Sequence, residues 1–236
     1  MSIATDAFSV LNLILYNSTV PYEVAMRCHL TKYLESVPNV TFYFYSYREI
    51  QDAEIEVDGQ DIYILGKEAF VPNILRKTIA AIRYCVSTSI SFDYLIRSNI
   101  STVINYQQFP ASELVGRHYA STLLHTLSWM DPPSGITDDR LFGLRFASGT
   151  NIILSREATM YLSEHYTDID YSLIDDVAIG ELLSRSPYAS HQLSNGIRYA
   201  SDSSWPLTGF TYRHRTNDRM KDATAMGELL DALCRQ

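Results

Sequence analysis

The 236-residue chain has few cysteines: Cys28, Cys85 and Cys234. They are odd in number and far apart, which excludes a disulfide framework and any cysteine-rich metal site and points to a reduced setting. No run approaches the roughly 18 apolar residues of a membrane span. The opening stretch MSIATDAFSVLNLILY has no basic region ahead of its apolar part, so no signal peptide is expected. The six histidines show neither His-x-x-x-His nor His-x-His spacing. No GxGxxG, P-loop or GxSxG motif occurs, which argues against dehydrogenase, kinase and esterase chemistry. Cations are outnumbered, 19 Lys and Arg against 27 Asp and Glu, for a net charge of −8. Such a chain repels nucleic acid unless its basic residues cluster.

What remains is ordinary globular material, 46% hydrophobic and 19% charged. No linker, repeat or low-complexity segment is visible, so residues 1–236 are read as one domain. Tyrosine is frequent, at 17 residues, and its flat face with a polar tip suits sugar or base binding as well as core edges. Val10–Tyr16 reads as a buried strand, and Pro21–Glu35 as a helix with Val24, Cys28, Thr31 and Leu34 on its apolar stripe. Val40–Tyr47 and Asp61–Leu65 read as strands, Ile74–Cys85 as a helix begun near Pro72, and Phe92–Ile96 as a further strand. Phe142–Leu154 suggests a glycine turn into a strand, with Ser155 capping a helix that runs through Leu162. Asp175-Asp176 open another helix. Phe210–Arg219 is an extended segment that ends basic, and Asp222–Leu233 a closing helix. Strands alternating with helices imply an α/β fold with a mixed, mainly parallel sheet and helices on both faces. Ligands of such sheets bind beyond the strands' carboxyl ends. Those ends are Asn17-Ser18, Ser46–Arg48, Gly66–Glu68 and Arg97–Thr102.

Three segments in order resemble glycosyltransferases of the GT-A (Rossmann-like) type. Phe92–Ser101 (FDYLIRSNIS) is similar to the strand that ends in a metal-binding Asp-x-Asp in fringe and β1,3-galactosyltransferase-like enzymes. Here Ser98-Asn99-Ile100-Ser101 replaces that motif, closer to metal-independent core-2 type N-acetylglucosaminyltransferases. Ser148–Ser155 (SGTNIILS) resembles the small-residue turn before a strand and helix, where glycine lets backbone approach a sugar. Ile174–Gly180 (IDDVAIG) resembles the Glu-Asp-Val-x-x-Gly segment of inverting enzymes, whose Asp before Val is the general base. The resemblance spans Phe92–Gly180. It implies a nucleotide-binding half (1–105) and an acceptor-binding half with a basic C-terminal segment (106–236). The lack of an anchor suits a cytoplasmic bacterial or viral member.

The implied reaction moves a sugar from a nucleotide-sugar, UDP-sugar favoured, to a glycan or glycoconjugate hydroxyl with inversion. It needs a base at the acceptor oxygen and charge stabilisation at the departing diphosphate. Asp176 is then the base and Asp175 its orienting neighbour. Without the resemblance, the pair reads as carboxylates set against a helix dipole. No carboxylate stands where the metal would sit, so no cofactor is expected, and arginine forks offer the alternative. Arg213 and Arg215 fall on one face of an extended segment, and Arg97 ends the strand; the plain alternative for the first two is a solvated edge. Asn99 is a candidate for ribose or sugar, Asn17 for the nucleoside, Tyr16 or Tyr47 for stacking on the base, and Glu68, Gly149 and Thr150 for donor or acceptor. Arg219 and Asp222 read as an ion pair. The competing expectations are a Mn or Mg ion held by Asp93 and Asp175, and an inactive binding module.

Overall fold

A computed structural model describes residues 8–50, 53–199 and 206–236. Apolar runs bounded by turn residues form the strands β1 (Val10–Leu15), β2 (Val40–Arg48), β3 (Ile55–Asp58), β4 (Asp61–Leu65) and β5 (Tyr94–Asn99). Further strands are β6 (Thr102–Ile104), β7 (Tyr119–Ser121), β8 (Leu124–Thr126), β9 (Arg145–Ala147), β10 (Asn151–Ser155), β11 (Ser190–Gln192), β12 (Arg198–Tyr199) and β13 (Thr211–Arg213). The helices are α1 (Pro21–Glu35), α2 (Asn73–Ser87), α3 (Ala111–Leu114), α4 (Arg156–Glu164), α5 (Asp175–Ser184) and α6 (Arg219–Leu233).

Eight strands make the central sheet in the order β11-β7-β10-β5-β1-β2-β4-β3. β5, β1, β2 and β4 run parallel, while β3 and β10 run against their neighbours. The mainly parallel mixed sheet with helices on both faces is therefore present. Side chains of β1 alternate, as pleating demands. Leu11 and Leu13 join Tyr45, Ile62 and Leu95 beneath α2, α4 and α5. Ile14 joins Phe42 and Phe44 beneath α1 and α6. Small strands β12, β13 and β6 form a separate sheet.

Several boundaries differ from the sequence reading for physical reasons. The buried residues of α1 are Tyr22, Met26, Leu30, Tyr33 and Leu34, so Leu34 is buried as expected while Val24 and Cys28 are exposed. Two stripes have helical spacing, and the one with the larger side chains buries more apolar area against α6. β3 was not anticipated; its alternation of half-buried and exposed residues suits a sheet edge. β5 starts two residues later than expected and continues through Arg97 to Asn99, because Arg97 finds a buried partner (below). The Phe142–Leu154 run is two strands, β9 and β10, reversing at Ser148–Thr150. Ser155 does cap α4, accepting from the Ala158 amide.

Gly180 explains one motif in packing terms. A Cβ there would stand 2.4 Å from Cβ of Phe146 on β9, so only glycine lets α5 lie so close. Gly180→Ala is expected to lower stability by about 1–3 kcal/mol through overpacking. Urea unfolding checks this; an unchanged midpoint would mean that α5 is free to move off β9.

Candidate functional site

The site forms where the carboxyl end of β5 lies between parallel β1 and antiparallel β10. Leu15 of β1 sits opposite Asn99, and Ile152 of β10 opposite Arg97. Because β10 runs antiparallel, its leading turn, Gly149-Thr150, arrives at that same end. The chain reverses after Asn99 into β6, and β13 pairs there with Arg213 opposite Thr102. A buried amide locks the arrangement: Asn151 Nδ2 donates to Thr211 Oγ1 at 2.9 Å, tying β10 to β13.

Arg97 is the hub. It is 1% exposed and lies on the α2/α5 face of the sheet. Its guanidinium meets the Asp175 carboxylate at 2.5 Å and donates to Asn99 Oδ1 (2.8 Å), the Gly149 carbonyl (2.5 Å) and the Tyr45 hydroxyl (3.2 Å). Burial works against its charge, but Asp175, and after it Tyr45 and Asp176, outweigh burial and raise its pKa above the usual value. The sequence assigned Arg97 to phosphate or sugar. The structure commits most of its donors to Asp175, Asn99, Gly149 and Tyr45, while Arg97 also lines the cleft described below. Asp175 also faces Thr78 Oγ1 at 3.4 Å.

Asp176, next on α5, lines the same cleft as Asp175. Its oxygens accept from the amides of Gly149 (3.0 Å) and Val177 (2.9 Å). Burial, and after it the charge of Asp175, push its carboxyl up to about 6, against the Gly149 hydrogen bond and the charge of Arg97. Gly149 is wedged between the two partners. A Cβ there would lie 3.0 Å from Arg97 Nη1 and 3.4 Å from Asp176 Oδ2.

Asp176 faces a cleft of about 500 Å³, whose other walls include Asn99, Ser101, Arg213, Arg215 and Arg219. Arg213 is half-buried. Its Nη1 donates to Thr150 Oγ1 at 3.1 Å, while its buried Nε has no partner among the described residues. Burial, and then the neighbouring Arg215, pull its pKa below the usual value. Among the described residues, no carboxylate pairs with Arg213 or Arg215. Arg219 is paired with buried Asp222, as the sequence anticipated, and its guanidinium lies 4.0 Å over the Tyr22 ring. Arg213 ends β13 and Arg215 lies beyond it, so a shared strand face does not bring them together; the cleft does.

A second cavity of about 280 Å³ adjoins the cleft, the two sharing Leu15, Glu23, Phe70 and Ile74. It contains Asn17, Glu68 and Lys77. Lys77, 2% exposed, donates to Glu68 Oε2 (2.6 Å) and the Tyr16 carbonyl (3.2 Å). Glu68 Oε1 accepts from the Tyr47 amide at 2.9 Å. Asn17 turns its side chain to Thr19 (2.8 Å to its hydroxyl), and its amide donates to Glu23 Oε2 at 2.7 Å. Burial raises the Glu23 carboxyl above the usual range.

Other placements correct the sequence reading. The Tyr16 ring is buried against Phe44, with the Arg27 guanidinium 5.2 Å from its centroid, so it offers no open face. Tyr47 packs on Gly66, donates to the Asn73 carbonyl at 2.9 Å and lines a different, larger cleft of about 700 Å³ between α2 and β4. The end of β2 thus does not join the other strand ends. Thr150 is 1% exposed and serves Arg213, not a ligand directly. Asp93 precedes β5 and bonds the Ser9 amide at 2.8 Å. Four residues from Arg97 along an extended chain, it stands about 13 Å away, and Asp175 is consumed by Arg97. The Asp93 and Asp175 pair therefore does not fit a divalent ion. Among the described residues, no group of three His, Cys, Asp or Glu side chains is placed to hold one.

Tyr22, Glu23, Phe70, Ser101 and Lys77 were not singled out from the sequence. Phe70 is half exposed at the lip shared by both cavities. Only its exposed aromatic character beside Glu68 could have signalled it.

No protein-family model matches the chain, and no curated protein matches it by sequence. Solved structures do match by shape. A glycosyltransferase involved in glycosylation of the major capsid of PBCV-1 superposes with a TM-score of 0.51 at 8% identity, covering 92% of this chain and 98% of that one. The catalytic domain of Drosophila β1,4-galactosyltransferase 7 gives 0.43 at 10% identity over 80% of this chain and 66% of that one. The galactosyltransferase LgtC gives 0.43 at 12% identity over 95% of both. The first of these shows that the chain shares the fold of that glycosyltransferase.

Removing Arg97 tests the hub. Arg97→Met leaves Asp175 buried without its cation, and the expected loss is about 3–5 kcal/mol of unfolding free energy. The double variant Arg97→Met/Asp175→Leu should recover most of it in urea titrations. A small loss for the single variant would show that the pair is not holding α5 to β5.

Proposed function

We propose that the chain is a glycosyltransferase that moves a sugar from a nucleotide-sugar to a hydroxyl acceptor with inversion and without a metal. One observation carries the reading: a carboxylate with its pKa raised to about 6, Asp176, faces a cleft in which, among the described residues, Arg213 and Arg215 have no carboxylate partners. A concave cluster of uncompensated cations suits an anion, and guanidinium forks match phosphate oxygens. A diphosphate there would satisfy Arg213 Nε and relieve the repulsion between Arg213 and Arg215.

The reaction follows from this placement. The acceptor hydroxyl gives its proton to an Asp176 oxygen while its own oxygen bonds the anomeric carbon. The bond from that carbon to the diphosphate oxygen breaks on the opposite side, and the leaving group departs with the electron pair. Arg213 and Arg215 stabilise the charge that develops on it. Gly149 and Val177 orient the base, and Arg97 holds Asp175 and Gly149 around it. Asn99 spends its oxygen on Arg97, leaving its amide nitrogen to donate to the sugar or diphosphate. Glu23, where the two cavities join, has its Oε1 available to accept from ribose hydroxyls. A base near pH 7 is more effective than an ordinary carboxylate, which is the use of the raised pKa.

Transfer from nucleotide-sugars, followed by product chromatography, tests the reading. Turnover should persist in EDTA, and its loss on chelation with recovery in manganese would overturn the metal-free part. The rate should fall as pH drops through about 6, where Asp176 takes up its proton. Asp176→Asn should abolish turnover while donor binding survives; full activity in that variant would remove Asp176 from the base role. Arg213→Ala should weaken donor binding by about 10- to 100-fold, the scale of a charge-assisted hydrogen bond.

A further inference from the structure

The smaller cavity has a chemistry of its own. Its hydrogen-bonding groups are largely acceptors. The Asn17 backbone amide is committed to Glu23 and its side-chain oxygen to Thr19, which leaves its Nδ2 as a donor. What faces the space is the Glu68 carboxylate, with the Lys77 ammonium 2.6 Å from its Oε2. Each oxygen of Glu68 takes one bond from the protein, at 2.9 Å from the Tyr47 amide and 2.6 Å from Lys77. A carboxylate has about four acceptor positions, so one remains on each oxygen. Along its edge the pair therefore presents donor, acceptor, acceptor: Lys77 Nζ, Glu68 Oε2, Glu68 Oε1.

The cavity adjoins the arginine-lined cleft through Leu15, Glu23, Phe70 and Ile74. With a diphosphate in that cleft, the nucleoside extends into the smaller space, past Glu23 at the junction. Phe70 is 50% exposed at the shared lip, an aromatic face on which a base can stack.

From this juxtaposition we infer that the Glu68 and Lys77 pair reads a guanine base, so that the donor is a GDP-sugar and not a UDP-sugar. The inference rests on the proposed nucleotide-sugar site. Guanine's pairing edge is acceptor, donor, donor: O6, N1–H and the 2-amino group. It meets Lys77, Oε2 and Oε1 in order. Adenine in the same register sets its N1 acceptor against Oε2. Uracil and cytosine each set an acceptor against a carboxylate oxygen, and a buried acceptor facing an acceptor is costly. Sites that spend buried polar groups on a ligand's donors discriminate strongly against analogues lacking them.

Isothermal titration of the full chain in EDTA with GDP, UDP, ADP, CDP and IDP tests this. GDP is expected to bind at least about tenfold more tightly than UDP or CDP. IDP, which lacks only the 2-amino group, should lose about tenfold or more against GDP, the scale of a hydrogen bond to a charged group. That comparison changes the ligand alone and leaves the fold untouched. Phe70→Ala should weaken all five together without changing their ratios, and Glu68→Gln should collapse the GDP preference. UDP binding as well as or better than GDP, or IDP binding like GDP, overturns the guanine inference while leaving the glycosyltransferase reading in place. No binding of any nucleotide at millimolar concentration overturns both.

Discussion

The buried ion pair between Arg97 and Asp175 is the constraint on which the site depends. Moving both ions out of water costs several kcal/mol apiece, and their attraction offsets this only when every remaining donor is satisfied. The fold meets that condition with Asn99, the Gly149 carbonyl and the Tyr45 hydroxyl. In doing so it fastens three elements together: the end of β5, the turn between β9 and β10, and the start of α5. The orientation of Asp176 follows. With Asp175 held by Arg97, the next residue on the helix stands at the cleft beside it, and the Gly149 amide fixes its carboxylate there.

The arginines divide into two kinds. Arg97 and Arg219 are held by Asp175 and Asp222. Burial tends to raise the Asp222 carboxyl, but hydrogen bonds from Thr216 and the charge of Arg219 keep it below the usual range, so that pair persists as ions. Among the described residues, Arg213 and Arg215 have no such anchors. Arg213 is instead steadied by a neutral hydroxyl, that of Thr150, which orients it without neutralising it. Orientation by a neutral group and neutralisation by a carboxylate have opposite consequences for what the cation can still attract.

Much of the architecture was legible because it follows from local pattern. VLNLIL and VTFYFYSY are strands by composition, and Ser155 is a helix cap by its chemistry. Errors arose where tertiary partners decide. Arg97 reads as a strand terminator until Asp175, 78 positions later, makes a buried arginine tolerable. Asp93 and Arg97 share a strand face at even spacing, yet face alone does not say how far apart two residues stand along it. Tyr16 and Tyr47 follow the right strands, but one ring is drawn into the core by Phe44 and the other onto Gly66. Asp176 and Arg213 were picked out by resemblance and charge. Their convergence on one cleft required the antiparallel return of β10 and the pairing of β13 with β6, neither of which leaves a local signal.

The contrast between the chain's net charge of −8 and its arginine-lined cleft has one more effect. At physiological salt, charge is felt over only about 8 Å. A small dianion inside the cleft therefore senses the arginines and little of the acidic exterior. A long polyanion lies across that exterior and meets repulsion along most of its length. The same molecule attracts one and turns away the other, so that electrostatics sorts anions by size before any hydrogen bond is made.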